Sequence, residues 1–186
     1  MTTMTPKRAN DREDSMLDTV SESREMAKVE PGLRAIIDKY SSNIPVRLGA
    51  MAEELGIRVL LSSLPTGISG LIQRVDDRYE IKINRHESKE RQRFTLAHEI
   101  SHFLLHRPFI DSSADGIRDN VLYRSGAPAS IEYEANRLAA DLVMPPEALE
   151  RETRAIDYEM TEEALEALAR RFGVSKAAIE IRVSGR

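Results

Sequence analysis

The run Arg93-Phe94-Thr95-Leu96-Ala97-His98-Glu99-Ile100-Ser101-His102 contains the pattern His-Glu-x-x-His. On a helix, residues four apart are offset by only about 40° and rise by about one turn, so His98 and His102 would aim both imidazoles at one spot. Two neutral imidazoles so placed suit a divalent ion, zinc above all. Glu99 follows the first histidine and would flank a bound water as general base for hydrolysis. Phe94, Ala97, Ile100, Phe103, Leu104 and Leu105 surround these polar residues, as on a core-lining helix whose polar cluster faces a cleft.

A hydrolytic zinc site needs a third protein ligand and one open position. The chain has no cysteine to supply it. The extended signature with a third histidine would need Gly at 105 and His at 108, where the chain has Leu105 and Pro108. His106 shares a face with His102, but three ligands from one straight helix would sit too far apart along its axis. It reads instead as a capping histidine or as a partner for the other ring nitrogen of a ligating imidazole. A glutamate from a second helix is the sensible third ligand, and Glu132 and Glu134 compete for the place. Glu132 is favoured because Asn136 follows it by four residues, which puts a polar partner for a histidine on the same face. Glu134 has apolar Leu138 at that offset and would otherwise be an exposed helical glutamate.

Two segments together carry a resemblance. Arg91-Gln92-Arg93-Phe94-Thr95-Leu96-Ala97-His98-Glu99 through Leu105-His106, followed by Glu132-x-x-Ala135-Asn136-x-x-Ala139-Ala140-x-Leu142-x-Met144-Pro145, resembles the ImmA/IrrE metallopeptidases over about residues 45 to 183. The Glu-x-x-Ala-Asn run is also similar to the Glu-x-x-Ala-Asp helix of zincins whose third ligand is glutamate. The resemblance implies Glu132 as that ligand, one Zn2+ per chain and a gluzincin-like active site. It further implies cleavage of DNA-binding, helix-turn-helix repressors in stress responses, mobile elements or toxin–antitoxin modules.

The expected fold is α+β: a zincin-like metallopeptidase domain with a small antiparallel sheet packed on the active-site helix, followed by C-terminal helices. Residues 1–30 mix acids and bases with few bulky apolar groups, and predict a mobile tail that cannot offset its ordering entropy. The domain would then span 31–186, including a helical segment 147–186. Leu33, Ile36, Ile37 and Tyr40 recur at helical spacing, and Pro45 should open a second helix stopped by Gly56. Strands are expected at 58–62, 68–75 and 79–84, with Asp76-Asp77 as a hairpin turn. Residues 108–130 read as a long polar loop, interrupted by Val121-Leu122-Tyr123-Arg124 as an extra edge strand. Tyr123 and Arg124 are candidates for stabilising a tetrahedral oxyanion. Helices are expected at 147–154 and 162–172, the latter ending near Gly173, with a short one from Ser175.

A chain of 186 residues, 41% hydrophobic and 31% charged, can bury one sizeable core. No apolar run is long enough to span a bilayer and the N-terminus has no secretory segment, so the expected location is cytoplasmic. Ala169, Gly173 and Ile179 fall at helix-turn-helix offsets. A net charge of −4 and a nearly balanced C-terminal segment argue against direct DNA binding. The rival reading is a non-catalytic, zinc-containing regulator or antitoxin-like binding protein. Glu99 weighs against it, since a structural site needs no base.

Overall fold

The computed structural model describes residues 21–112, 117–120 and 129–184. Helix α1 (Pro31–Ser41) starts with a proline in its first turn, where the missing N–H is no loss. Helix α2 (Leu48–Glu54) begins three residues after Pro45 rather than at it. Val46 is buried in the core and Arg47 is non-helical, so these two residues are spent on seating the chain before the helix can start. Gly56, with φ 78°, then turns the chain into the sheet.

Strands β1 (Ile57–Ser62), β2 (Ile68–Val75), β3 (Arg78–Asn84) and β4 (Ile117–Asn120) form one sheet in the order β1-β3-β2-β4. The expected hairpin is present: Val75 pairs with Arg78 across Asp76-Asp77, and Asp76 takes the positive φ that such a turn demands. The sheet is mixed, which corrects the antiparallel expectation. β1 and β3 both run opposite to β2, and the 63–67 connection steps past the end of β3, so β1 lies parallel to β3. The described residues within 108–130 are helix and strand rather than loop. Pro108 lies in the first turn of helix α4 (Arg107–Ser112), which fully buried Ile110 pins to the core, and β4 adds antiparallel to β2. The described residues thus include an edge strand at 117–120, and the strand expected at 121–124 lies outside the described residues.

Helix α3 (Lys89–Leu105) lies between the sheet and helix α5 (Ala129–Val143). Ser88 caps it by accepting a hydrogen bond from the Arg91 N–H. Buried Gln92 ties its first turn to the end of β3 by donating to the carbonyls of Asn84 and Glu87. With neighbours on two sides, α3 buries apolar Ala97, Ile100 and Phe103 and also polar Thr95, Ser101 and the histidines. Helices α6 (Pro146–Arg154), α7 (Glu162–Phe172) and α8 (Lys176–Ser184) complete the chain, close to their expected limits. Gly173 ends α7 in the left-handed region, φ 66°, and its carbonyl, with those of Phe172 and Val46, accepts from the Arg93 guanidinium of α3.

Residues 21–30 are packed onto the domain rather than forming part of a tail. Met26 and Val29 enter the core. Three polar anchors fix the segment to successive turns of α5: the Ser23 N–H donates to Asp141, Glu25 pairs with Arg137, and Lys28 pairs with Glu134. Two apolar plugs and three pairings offset an ordering cost that composition alone suggested was too high. Residues 1–20 lie outside the described residues.

Candidate metal centre

Two helices supply the polar cluster, and small residues let them meet. Ala97 on α3 and Ala135 and Ala139 on α5 are fully buried, so the backbones approach closely enough for a glutamate on one to reach histidines on the other. On α5, Ala135, Leu138, Ala139 and Leu142 bury at helical spacing, which carries Glu132 and Asn136 on the neighbouring face toward α3.

His98 Nε2 and His102 Nε2 lie 3.0 Å apart. Glu132 Oε2 is 3.3 Å from His98 Nε2, and Oε1 is 3.6 Å from His102 Nε2. Each of the three residues thus presents a ligand atom within 4.8 Å of the others. Ligands about 2.0–2.1 Å from a tetrahedral zinc are separated by roughly 3.3 Å, so these spacings bracket what such an ion would need. The donor set fits as well. The His98 Nδ1–H donates to Asn136 Oδ1 at 3.1 Å, which leaves its Nε2 lone pair aimed into the cluster. Burial pushes the His102 imidazole down to about 4, against the opposing pull of Glu132, so the ring is neutral near pH 7. The Glu132 carboxylate faces the Nε2 atoms of both rings. Three electron-pair donors therefore converge in a buried place, an arrangement that a cation stabilises.

Glu99 is fully buried on the side of α3 facing the sheet. Opposite it is Gly70 of β2, where a Cβ would stand 2.4 Å from Thr95 Cγ2 and 3.2 Å from Glu99 Oε1. Only glycine admits so close an approach of helix to strand. Sequence reasoning passes over Gly70, although a lone glycine inside a strand pattern signals close backbone approach.

The rival glutamate, Glu134, is placed elsewhere: its carboxylate is 2.9 Å from Lys28 Nζ and 3.2 Å from His106 Nε2. His106 sits at the C-cap of α3, with its Nδ1 3.2 Å from His102 Nδ1. Tyr123 and Arg124, the oxyanion candidates, lie outside the described residues. Among the described residues from 161 on, the basic side chains are each engaged: Arg170 with Glu166, Arg171 with Glu152, Lys176 with Glu162 and Glu180, and Arg182 with buried Asp141.

Comparison with known proteins adds three findings. The peptidase M78 family model, described as the IrrE N-terminal-like domain, matches residues 52–184. No curated protein matches the sequence. Among solved structures, a Mycobacterium tuberculosis transcriptional regulator resembles the fold with a TM-score of 0.52 at 16% identity, over 93% of this chain and 51% of that one. The chain thus spans about half the length of that regulator.

Proposed function

The chain belongs to the peptidase M78 family of IrrE N-terminal-like (ImmA/IrrE) domains, and on that premise we propose that it is a zinc-dependent endopeptidase whose metal is held by His98, His102 and Glu132. The observation that carries this reading is the convergence of two imidazole nitrogens and a carboxylate, 3.0–3.6 Å apart, on one buried point. A zincin-like arrangement accounts for it: a His-Glu-x-x-His helix backed by a sheet, with the third ligand on the next long helix. Zinc is favoured over other divalent ions by the two-imidazole, one-carboxylate donor set and its tetrahedral spacing.

When bound, the ion would lower the pKa of a water and polarise the scissile carbonyl. The residues do the rest. Asn136 holds the His98 ring with its Nε2 toward the ligand point, and Glu132 closes the set from the opposite helix. Glu99 takes the proton of the attacking water and returns it to the leaving amine nitrogen. Its burial against Gly70 restricts the carboxylate to few rotamers, which favours a fixed distance to the water. An extended substrate would add antiparallel to the outer edge of β4 by main-chain hydrogen bonds, since among the described residues β4 ends the sheet beside β2.

The substrate class proposed is a DNA-binding, helix-turn-helix repressor, cut at one site in a stress, mobile-element or toxin–antitoxin setting, and the proposed location is cytoplasmic. No helix among the described residues is long and apolar enough to cross a membrane. The pairing of Arg170, Arg171, Lys176 and Arg182 supports a packing role for α7 and α8 rather than direct DNA contact. The test is to incubate zinc-loaded wild type and Glu99→Gln with repressors encoded beside this gene. Cutting by wild type alone is expected. A zinc-loaded wild type that cuts none of them, or a Glu99→Gln protein that cuts at the wild-type rate, would contradict the reading, the former in favour of a zinc-containing binding regulator.

A further inference from the structure

The environment of His102 differs from that of His98. Where His98 leans on an amide, His102 leans on a second imidazole. That imidazole, His106, has its far nitrogen on Glu134, and Glu134 in turn meets Lys28. The file Lys28–Glu134–His106–His102 runs from the partly exposed edge of the N-terminal segment to the buried ligand point. Each link is at hydrogen-bond distance: 2.9, 3.2 and 3.2 Å. Lys28 lies before residue 52, outside the family match.

Proton placement along this file is determined from one end. A carboxylate only accepts, so Glu134 requires a proton on His106 Nε2. A neutral imidazole carries one ring proton, so His106 Nδ1 is then an acceptor. The contact between His106 Nδ1 and His102 Nδ1 therefore places the second proton on His102 Nδ1. That leaves His102 Nε2 bare and aimed at His98 Nε2 and Glu132. Without Glu134, His106 could carry its proton on Nδ1 instead. Two Nδ1–H groups would then face each other, or His102 would turn its lone pair away from the ligand point.

We propose that Glu134 and His106 are positioning residues that fix the tautomer of the metal ligand His102, and that Lys28, from the segment preceding the family domain, holds Glu134 in place for that task. The proposal rests on the reading of His102 as a metal ligand. It gives residues 21–30 a part in the metal centre, because the strap that carries Lys28 is locked to α5 by Ser23–Asp141 and Glu25–Arg137. Glu132 and Glu134 stand on that same helix.

The test uses the full chain and two readouts. The first is zinc affinity, measured by competition with a chromophoric chelator for wild type, Glu134→Leu, Glu134→Gln and Lys28→Met. Loss of the partner directly behind a ligating histidine weakens binding by roughly 10–100-fold; Glu134→Leu leaves that partner, His106, in place but frees its tautomer, so a weakening at the lower end, about tenfold, is expected. Glu134→Gln keeps an acceptor and should recover most of that loss. Lys28→Met removes a half-exposed ion pair and should cost only about two- to fivefold. The second readout needs no metal: 15N spectra of the imidazoles in the metal-free protein. Wild type should show His102 as the Nδ1–H tautomer and His106 as Nε2–H, and Glu134→Leu should mix the tautomers of both. Wild-type zinc affinity in Glu134→Leu, or an Nε2–H tautomer of His102 in the metal-free wild type, would overturn the proposal and leave the metal site standing. A wild type that binds no zinc at all would instead remove the reading on which the proposal rests.

Discussion

Replacing Gly70 by alanine probes how closely the active-site helix is pressed onto the sheet. Gly70 has no positive φ, so alanine meets no backbone penalty there, and a restricted unfolded chain would by itself add about 0.4–1 kcal/mol of stability. Against this, the new methyl would stand 2.4 Å from Thr95 Cγ2 and 3.2 Å from both Glu99 Oε1 and the Lys82 carbonyl oxygen. The first distance is more than 1 Å short of contact, between a helix and a strand that are both buried. Overpacking of that kind costs roughly 1–3 kcal/mol, so the clash wins and the net loss should be about 1–2 kcal/mol. For a chain of this size that is a fall in Tm of roughly 2–8 °C. The second distance bears on the proposed chemistry: Glu99 must give way, and if it serves as the proposed general base, a displacement of a fraction of an ångström should lower the cleavage rate at least tenfold. Thr95→Ser removes the opposing methyl. Alone it should cost about 0.5–1.5 kcal/mol as a small cavity, but combined with Gly70→Ala it should restore stability, with a coupling of about 1 kcal/mol or more in a double-mutant cycle. Urea unfolding of the four proteins measures this. A neutral or stabilising Gly70→Ala, or a cycle without coupling, would refute the close-approach argument.

Acid should destabilise the metal-free protein through His102. Its folded pKa of about 4 lies below the ordinary 6.5, so the unfolded chain binds this proton more tightly; the stability it contributes is present above about pH 6.5 and is lost as pH falls toward 4. Melting curves of metal-free protein between pH 7 and 4 should fall over that window, and a flat profile would contradict it. Arg93→Met should cost about 2–3 kcal/mol in urea unfolding, because the carbonyls of Gly173, Phe172 and Val46 lose a charged donor. A cost under about 0.5 kcal/mol would mean that the bridge from α3 to the end of α7 contributes little.

Features set by neighbours along the chain are legible in the sequence itself. The i, i+4 spacing of His98 and His102, the Asp76-Asp77 turn and the helix ending at Gly173 are all specified within a few residues. Preference for Glu132 over Glu134 rests on Asn136 one turn later, and the fold does set Asn136 against His98 while sending Glu134 to His106 and Lys28. The features that local sequence does not reveal depend on partners far along the chain. Ser23 anchors to a residue 118 positions away and Glu25 to one 112 away, so a segment polar by composition looks unable to pack. The parallel pairing of β1 with β3 follows from where the 63–67 connection crosses, which no local alternation encodes. The role of Gly70 depends on Thr95 and Glu99, which approach it only after folding.

The most direct test of the metal centre is zinc stoichiometry, measured on dialysed protein by elemental analysis, for wild type, Glu132→Ala and Glu134→Ala. One zinc per chain in wild type, retained by Glu134→Ala though bound more weakly, and lost or loosened by orders of magnitude in Glu132→Ala, is the outcome expected from the ligand atoms of His98, His102 and Glu132 gathered within 4.8 Å. A Glu132→Ala protein that holds zinc as tightly as wild type, or a wild type that holds none, would contradict the account.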